Sequence, residues 1–357
     1  MRFIDYVRLL APYTASASYT LPELSTICFE PRHVYASDGI SSLSIESCEG
    51  IVKGLCVQAG PLLTWCNSIG DEFPFTAGFM DQQLKVQSNI GGRFSYASFP
   101  IAPTSSYRLK VETSMPASAS AATLEDSNQM ADALAYVLKR SGTDSTFKWA
   151  SGVTLAFEAG QMRAFMTDNI TMAVGGCDLE VFDSFTCMIT HSAAQRLQGL
   201  CANYAGELRA GLYEGKLFVQ VNDAVFSTVI VEDADAVDNF YSQIEPYSEM
   251  DTFDPGVEFI EAVRRHGQFS GRDGAATRIK VRGAEAVLVT TTEAGRTKDR
   301  VSIPGAPEQE VEICTGASVL SRMLTDGASF NLTEEAIVTR DLRGNMALLC
   351  AWDEEGA

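Results

Sequence analysis

Apolar residues recur at helical spacing in three well-separated parts of the chain. Around Ile4 they fall three or four positions apart, and the same spacing returns near Met130 and near Val257. Because this period places apolar side chains on one face of a helix, each segment is predicted to be an amphipathic α-helix. Asp254 and Pro255 add a start signal to the third helix, since aspartate favours the N-cap and proline the first helical position.

Each of these helices precedes a segment whose pattern is typical of two strands joined by a short turn. The segments are residues 24–39, 152–169 and 277–295. Each has an apolar run, a turn and a second strand-like run that ends at an acidic residue. When they are aligned on Asp38, Asp168 and Glu293, they indicate a threefold internal repeat.

A second half follows in each repeat, with a short helix and then a closing hairpin. The predicted helices are 61–69, 191–203 and 315–324, and the predicted hairpins are 80–99, 213–232 and 329–351. The sequence therefore predicts an α+β chain of three domains, each made of two helix-plus-strands half-units. We place the domains at 1–104, 105–245 and 246–357, with junctions in the segments 101–123 and 231–254.

Charge excludes one broad class of function. The 357 residues contain 27 Lys and Arg against 46 Asp and Glu, which gives a formal net charge of −19. An acidic chain of this kind is not a nucleic-acid binder with a basic surface all round. A basic stripe on an otherwise acidic body stays possible.

The sequence contains few candidates for catalytic, phosphate-binding or metal-binding residues. There is no Gly-rich phosphate-binding motif, and the three histidines, 33, 191 and 266, are far apart. The nine cysteines form no C-x-x-C pair and lie mostly in apolar runs, so we predict reduced, buried thiols and no zinc site. No apolar run is long enough to span a membrane. The expectation is a cytoplasmic protein without catalytic activity, metal or cofactor.

Basic residues do accompany the predicted helices. Five of the six helices carry at least one, and together these are Arg8, Lys139, Arg140, Arg196, Arg264, Arg265 and Arg322. Any one of them can be an ordinary solvated helix residue. Taken together, they also suit contacts with DNA phosphates, which neutralise charge without distinguishing base sequence.

Several runs resemble a known family, the bacterial DNA polymerase III beta subunit or sliding clamp. The resemblance is densest at residues 149–158 and 164–169, and weaker at 21–30 and 93–100. It departs from the family where Asn169-Ile170-Thr171 replaces Gly-His-Arg, and at the C-terminal tail. Such departures suggest a divergent, phage-encoded or mobile-element member.

The resemblance implies a fold and a function. Helices would line a central hole with sheets outside, and two chains would close a homodimeric ring around duplex DNA. The ring would tether a replicative DNA polymerase and need an ATP-dependent clamp loader, in the bacterial cytoplasm or nucleoid or in a phage-infected cell. The alternative is a monomeric clamp-fold accessory protein that binds DNA or polymerase without encircling DNA. An unrelated α+β binding protein is a third possibility.

The resemblance also implies two sets of site residues. Lys148, Trp149 and Arg272 would join the helix cations at the DNA, although Trp149 fits a core position as well. A pocket for polymerase peptides would be formed by Thr167, Asn169, Ile170, Met172, Pro246 and Leu349. Ile170 and Met172 are apolar residues after a turn, as a binding loop requires, but they could equally pack inside the domain.

Overall fold

The computed structural model describes most of the chain between residues 3 and 352. The segments that it does not describe are 1–2, 16–20, 47–53, 70–74, 81, 91, 107–110, 144–145, 232–235, 271–274, 307, 309, 325–326 and 353–357. Helices and strands are mixed along the rest, so the predicted α+β class is confirmed.

Seven α-helices lie in the described part of the chain: α1 Phe3–Leu10, α2 Ala59–Ser68, α3 Asn128–Arg140, α4 His191–Asn203, α5 Ala236–Ile244, α6 Gly256–Phe269 and α7 Ala317–Met323. Six of them lie where the sequence predicts helices. The unpredicted one, α5, falls in the acidic segment that we assigned to a junction. Its apolar residues Val237, Phe240, Tyr241 and Ile244 have helical spacing, and Phe240 is fully buried.

Twelve strands form the largest sheet, in the order β12-β8-β14-β15-β16-β3-β2-β1-β4-β7-β6-β5. These strands are β1 Thr26–Phe29, β2 His33–Ser37, β3 Ser41–Glu46, β4 Leu55–Gln58, β5 Phe75–Met80, β6 Gln83–Ile90, β7 Arg93–Pro103, β8 Ala122–Leu124, β12 Glu180–Val181, β14 Leu208–Tyr213, β15 Lys216–Val221 and β16 Ala224–Val229. This sheet, α1 and α2 belong to one compact unit, formed by Met1–Ala131, Leu179–Phe185 and Arg196–Ile230.

A second compact unit, formed by Asp132–Asp178, Thr186–Gln195 and Val231–Ala357, holds two further sheets. The seven-stranded sheet has the order β13-β9-β10-β11-β23-β22-β21, and the four-stranded sheet has the order β19-β18-β17-β20. Their strands are β9 Gly152–Glu158, β10 Gln161–Thr167, β11 Thr171–Asp178, β13 Phe185–Thr190, β17 Thr277–Arg282, β18 Glu285–Thr292, β19 Gly295–Ser302, β20 Val311–Thr315, β21 Ser329–Leu332, β22 Ala336–Arg340 and β23 Met346–Cys350. The domain boundaries at 104 and 245 stay predictions.

Half-units of neighbouring repeats are joined through antiparallel strand pairs. In the first unit β3 pairs with β16, and Leu43 lies opposite Phe226. In the second unit β11 pairs with β23, and Ala173 lies opposite Ala347. Because backbone hydrogen bonds cross both junctions, each sheet runs without a break from one repeat into the next.

The turns of the first two repeats are built alike, as the sequence alignment predicts. Oδ1 of Asp38 accepts hydrogen bonds from the backbone N–H groups of the second and third residues after it, and Oδ1 of Asp168 does the same. The third turn has the same number of residues, and across it Thr292 pairs with Gly295. Counted from the strand pairs, Thr292 occupies the aspartate's place, and the alignment of Glu293 is one residue off.

One sequence interpretation needs correction. Cys28 and Cys56 face each other on the paired strands β1 and β4 and form a disulfide, so not every cysteine is a free thiol.

Gly175 lies within β11, next to helix α3. A Cβ atom on it would come within 2.4 Å of the carbonyl oxygen of Ala133, so only glycine lets α3 pack this close to the strand.

Candidate nucleic-acid interface and partner surface

Helices α6 and α7 pack against each other in the second unit. A Cβ atom on Gly267 would lie 3.0 Å from the Cα of Ser318, so a glycine on α6 lets the two backbones approach. The buried face of α6 carries Phe259 and Val263, which are fully covered. The opposite face is exposed and carries Arg264 and Arg265. This amphipathic pattern directs two of the predicted cations toward solvent.

The exposed cations of these helices differ in their partners. Arg265 donates from Nε and Nη2 to one carboxylate oxygen of Asp299, at 3.2 and 3.0 Å. Arg264 and Arg322 are exposed and pair with no carboxylate in the described part of the chain. Since an existing ion pair competes with phosphate, Arg264 and Arg322 are the more available cations.

Behind Arg265 lies a buried polar cluster. His266 is fully buried, its Nδ1 is 2.6 Å from Oγ1 of Thr290, and its Nε2 is 3.5 Å from Oδ2 of Asp299. Thr277 extends the cluster through a 2.6 Å hydrogen bond to Thr290. Burial lowers the pKa of His266, although the neighbouring Asp299 carboxylate opposes this shift. The cluster therefore holds a neutral imidazole under the cationic face of α6.

Three of the predicted DNA contacts have structural roles instead. Arg196 forms an ion pair with Asp38, and its side chain is only 16% exposed. Arg140 is 7% exposed and stacks on the ring of Tyr136, 3.8 Å from its centre. Arg8 is half-buried and donates to Oδ1 of Asn67 at 3.2 Å. Guanidinium groups that are at least half-buried and also held by contacts within the protein are poorly placed for phosphate, so we leave these three out of the proposed interface.

The remaining candidates fall into three groups. Lys139 and Lys148 are exposed. Trp149 is half-buried, and its ring meets that of Phe240 edge to face at 5.6 Å. Its aromatic contact is thus with Phe240 in the protein's own core. Arg272 lies outside the described residues.

Met172, one of the six predicted pocket residues, belongs to an apolar cluster in the second unit, which we call the Met172 cluster. Its buried members are Ala156, Phe165, Met172, Phe240, Ile244, Val338, Met346 and Leu348, and the partly buried residues packed on it are Trp149, Val174, Val237, Tyr241, Tyr247 and Met250. It lies between α5 and one face of the seven-stranded sheet. Met172 itself is only 4% exposed, so it belongs to the core of this cluster.

Strand register corrects one pocket residue. Met172 on β11 lies directly opposite Leu348 on β23, and Thr171 lies opposite Leu349. Because side chains alternate between the faces of a sheet, Leu349 points away from Met172. Leu348, not Leu349, is therefore the residue that contributes to the cluster. Sequence alternation could not distinguish these neighbours, since both are leucines in an apolar run.

Ile170 and Pro246 lie within two residues of cluster members in the chain, and these two residues, which we call the rim of the cluster, are more accessible than its centre. Ile170 is 43% exposed, and Pro246 is exposed in the 3-10 turn Glu245–Tyr247. Arg340 holds this turn in place by donating to the carbonyl oxygens of Tyr247 and Ser248, at 2.9 and 2.5 Å. Ile170 and Pro246 are therefore apolar groups available on a fixed backbone.

The other two predicted pocket residues shape the turn that carries Ile170. Thr167 is buried and donates its hydroxyl to the carbonyl oxygen of Thr171 at 2.7 Å. Asn169 is exposed and has a φ of 66°, a left-handed conformation that asparagine tolerates better than most residues. The carbonyl oxygen of Ile170 accepts from the N–H of Cys350 at 2.9 Å. These contacts fix the turn against β23.

No family model and no curated protein matches this sequence. Among solved structures, the DNA polymerase III beta subunit of Thermotoga maritima superposes with a TM-score of 0.79 at 14% identity, over 98% of this chain and 96% of that chain. The chain has the sliding-clamp fold. Clamps from Pseudomonas aeruginosa and Caulobacter crescentus both give a TM-score of 0.74 at 15% identity, over 98% of this chain and 97% of theirs.

A further Pseudomonas aeruginosa clamp, solved with griselimycin bound, matches with a TM-score of 0.76 at 15% identity. The resemblance seen in the sequence is thus confirmed at the level of fold. Where side chains are described, no group of three or more His, Cys, Asp or Glu residues is placed to hold a metal ion. Likewise, no helix in the described ranges is long and apolar enough to cross a membrane.

Proposed function

We propose that this chain is a DNA sliding clamp, a homodimeric ring that encircles duplex DNA and tethers a replicative DNA polymerase. The observation that carries the proposal is the clamp fold, which covers 98% of this chain and 96% of the Thermotoga maritima subunit. Such a match includes all three repeats, and a closed ring needs all of them. Its role would be to bind and hold rather than to catalyse.

Charge distribution supports the DNA contact. The chain carries a formal net charge of −19, yet Arg264, Arg265 and Arg322 are exposed on two adjoining helices. Lys139 and Lys148 add exposed cations elsewhere in the same unit. Cations on helix faces that line a hole would contact phosphates without reading bases, while an acidic exterior would repel DNA elsewhere. This arrangement suits sliding better than sequence-specific binding.

Two strand edges support ring closure. Strand β19 ends the four-stranded sheet, and residues 93–98 of β7 pair only with β6 within the described chain. Each of these two strands is the third strand of its half-unit. The third strands of the other four half-units pair with one another within the chain, β3 with β16 and β11 with β23. We infer that β7 of one copy pairs with β19 of the other, head to tail, so that the ring closes without exposed edges.

The rim of the Met172 cluster is the proposed docking place for a linear polymerase peptide. Ile170 and Pro246 would contact apolar side chains of that peptide. An ATP-dependent loader would open the ring, because the sequence contains no phosphate-binding motif of its own. The complex would act in the cytoplasm of a bacterium or of a phage-infected cell.

Two measurements test the function. Native mass spectrometry at micromolar concentration is expected to find two chains of 38.6 kDa together. With a bacterial clamp loader and ATP, the protein should then remain on nicked circular DNA and leave when that DNA is linearised. A single chain that binds linear and circular DNA equally well would contradict the ring and favour a monomeric accessory protein.

A further inference from the structure

Equivalent positions on the joining strands can be read from their hairpins. In the first half-unit of each repeat, a turn joins the last two strands. Just after this turn, one residue of the last strand pairs with the residue that lies five positions before it in the chain. These residues are Ser42 on β3, Met172 on β11 and Arg296 on β19. They occupy the same place in the three repeats.

The closing hairpins provide a second set of equivalent positions. In each closing hairpin, the second strand is numbered from the turn that precedes it, and its fourth residue pairs with one residue of the last strand. These residues of the last strand are Ala97 on β7, Phe226 on β16 and Ala347 on β23. These three residues are therefore equivalent as well.

Both junctions inside the chain use the same register. Phe226 lies opposite Leu43, the residue that follows Ser42. Ala347 lies opposite Ala173, the residue that follows Met172. Two independent junctions, in two different units, thus agree on how a closing strand meets the next half-unit.

Strands β7 and β19 have no such partner among the described residues, and this register applied to them gives definite pairs. Ala97 of one copy meets Thr297 of the other, the residue that follows Arg296. Because the strands are antiparallel, Tyr96 then lies opposite Lys298, and Phe94 lies opposite Arg300. Directly opposed Cβ atoms are about 4.5–5.5 Å apart, which is close enough for side-chain contact.

Two of the three aromatic residues of β7 are unusually exposed. Phe94 is 66% exposed and Tyr96 is 79% exposed, on the face of the hairpin opposite the buried Leu84 and Val86. Large aromatic side chains are more often covered, because their burial is strongly favourable. A cluster of two on one strand therefore points to a partner surface.

The cations of β19 lack a facing carboxylate in their own sheet. Lys298 lies opposite Val289, and Arg300 lies opposite Val287. Glu285 comes only within 3.7 Å of Arg300, and both side chains are at least 60% exposed, so this pair contributes little. By contrast, Lys280 in the same sheet is 2.5 Å from Glu310.

The side chains that this register brings together lie on matching faces of the two strands and are chemically complementary. Asp299 contacts Arg265 of α6, so its neighbours Lys298 and Arg300 point to the opposite face of the sheet. Phe94 and Tyr96 likewise lie on the face of their hairpin away from its buried side. The cations would thus meet the negative faces of aromatic rings.

We propose that Tyr96 and Phe94 of one copy form cation–π contacts with Lys298 and Arg300 of the second copy, across a continuous antiparallel sheet. The occupant of the exposed aromatic face is thus a second copy of this chain. The inference rests on the proposed homodimeric ring and specifies the side chains that close it.

Cysteine pairs test the register. In the variant Tyr96→Cys with Lys298→Cys, mild oxidation is expected to give a covalent dimer on a non-reducing gel. The matched control combines Tyr96→Cys with Thr297→Cys, where the second thiol points to the opposite face. The single variants measure background from the native cysteines. Equal cross-linking in the pair and the control would overturn the register.

The cation–π contacts are tested by measuring the dissociation constant of the dimer by sedimentation. Because a cation–π contact contributes about 0.5–2 kcal/mol, Tyr96→Leu should weaken each junction by about twofold to thirtyfold, whereas Tyr96→Phe should change it by less than about twofold. Lys298→Gln should weaken the dimer similarly, and it should cost little more when Tyr96→Leu is already present. Lys280→Gln, in the same sheet, is the matched control and should have no effect.

The possible outcomes distinguish failure of the dimeric ring from failure of the cation–π contacts alone. A wild-type protein that is monomeric at every concentration would overturn the ring itself. A wild-type dimer that Tyr96→Leu and Lys298→Gln both leave unchanged would overturn only the cation–π contacts. A dimer whose loss of affinity is the same for Tyr96→Phe and Tyr96→Leu would also contradict them, since the ring face is kept in phenylalanine.

Discussion

Asp168 and Asp38 occupy equivalent places in two turns of the chain and bind the backbone in the same way. Oδ1 of Asp168 accepts from the N–H groups of Ile170 and Thr171, at 3.1 and 2.7 Å. Oδ1 of Asp38 accepts from the corresponding N–H groups at 2.9 and 2.8 Å. An aspartate that closes a turn in this manner fixes the start of the next strand, and that strand forms the junction between repeats.

This finding leads to a prediction of stability. Replacing Asp168 with alanine leaves the backbone N–H groups of Ile170 and Thr171 without their acceptor. We expect the free energy of unfolding to fall by about 1–3 kcal/mol. Urea denaturation measures this change. The control is Asp178→Ala, whose exposed carboxylate accepts from the side chain of Gln161, and it should change stability by less than about 0.5 kcal/mol. Equal losses would contradict a structural role for the turn.

Much of the fold follows from sequence periodicity. Six helices lie where apolar spacing predicts them, because burial of one face dictates that spacing whatever the partner. Helix α5 was missed although Phe240 and Ile244 have the same spacing, since acidic residues before it suggested a linker. Charge around a short helix thus concealed an apolar face that packs on the sheet.

Partners of individual side chains were less predictable. The sequence shows that Arg196 and Arg264 both lie on helices, but not that Asp38 pairs with the first. That contact joins residues far apart in the chain, and no local pattern reports it. The same limit applies to Leu349, because only the register of β23 against β11 shows that Leu348 is the leucine that faces Met172.

The buried imidazole of His266 predicts a dependence of stability on pH. Its pKa is lowered in the folded protein from 6.5, so the unfolded chain binds a proton more readily. The stabilising effect of the neutral form is complete above pH 6.5 and is lost as the pH falls from there through the lower, folded pKa. We expect His266→Gln to flatten the fall in the free energy of unfolding on this acid side. Parallel curves for both proteins in urea titrations would contradict the assignment.

The partner surface predicts different results for its rim and its centre. Ile170→Glu places a charge on an exposed side chain, so it should abolish binding of a polymerase peptide and leave the thermal midpoint nearly unchanged. Met172→Glu buries a carboxylate in the apolar cluster and should instead destabilise the fold by several kcal/mol. Leu342→Glu, at a 94% exposed position, is the control for added charge. Calorimetric peptide binding retained in Ile170→Glu would place the partner site elsewhere.

The exposed arginines of α6 and α7 predict the salt dependence of DNA binding. Arg264→Glu and Arg322→Glu should each reduce the slope of log K against log salt concentration by about 1 per lost phosphate contact, hence by about 2 in a dimer. Arg265→Glu should have a smaller effect, because its guanidinium already pairs with Asp299. The control is Arg282→Glu, which makes the same change of charge at an 80% exposed side chain. Arg282 lies on β17 of the four-stranded sheet, on the face away from α6. Fluorescence anisotropy over a salt series, with the dimer verified in each sample, makes the comparison. If Arg282→Glu lowers the slope as much as Arg264→Glu, the effect comes from overall charge, and α6 does not face the DNA.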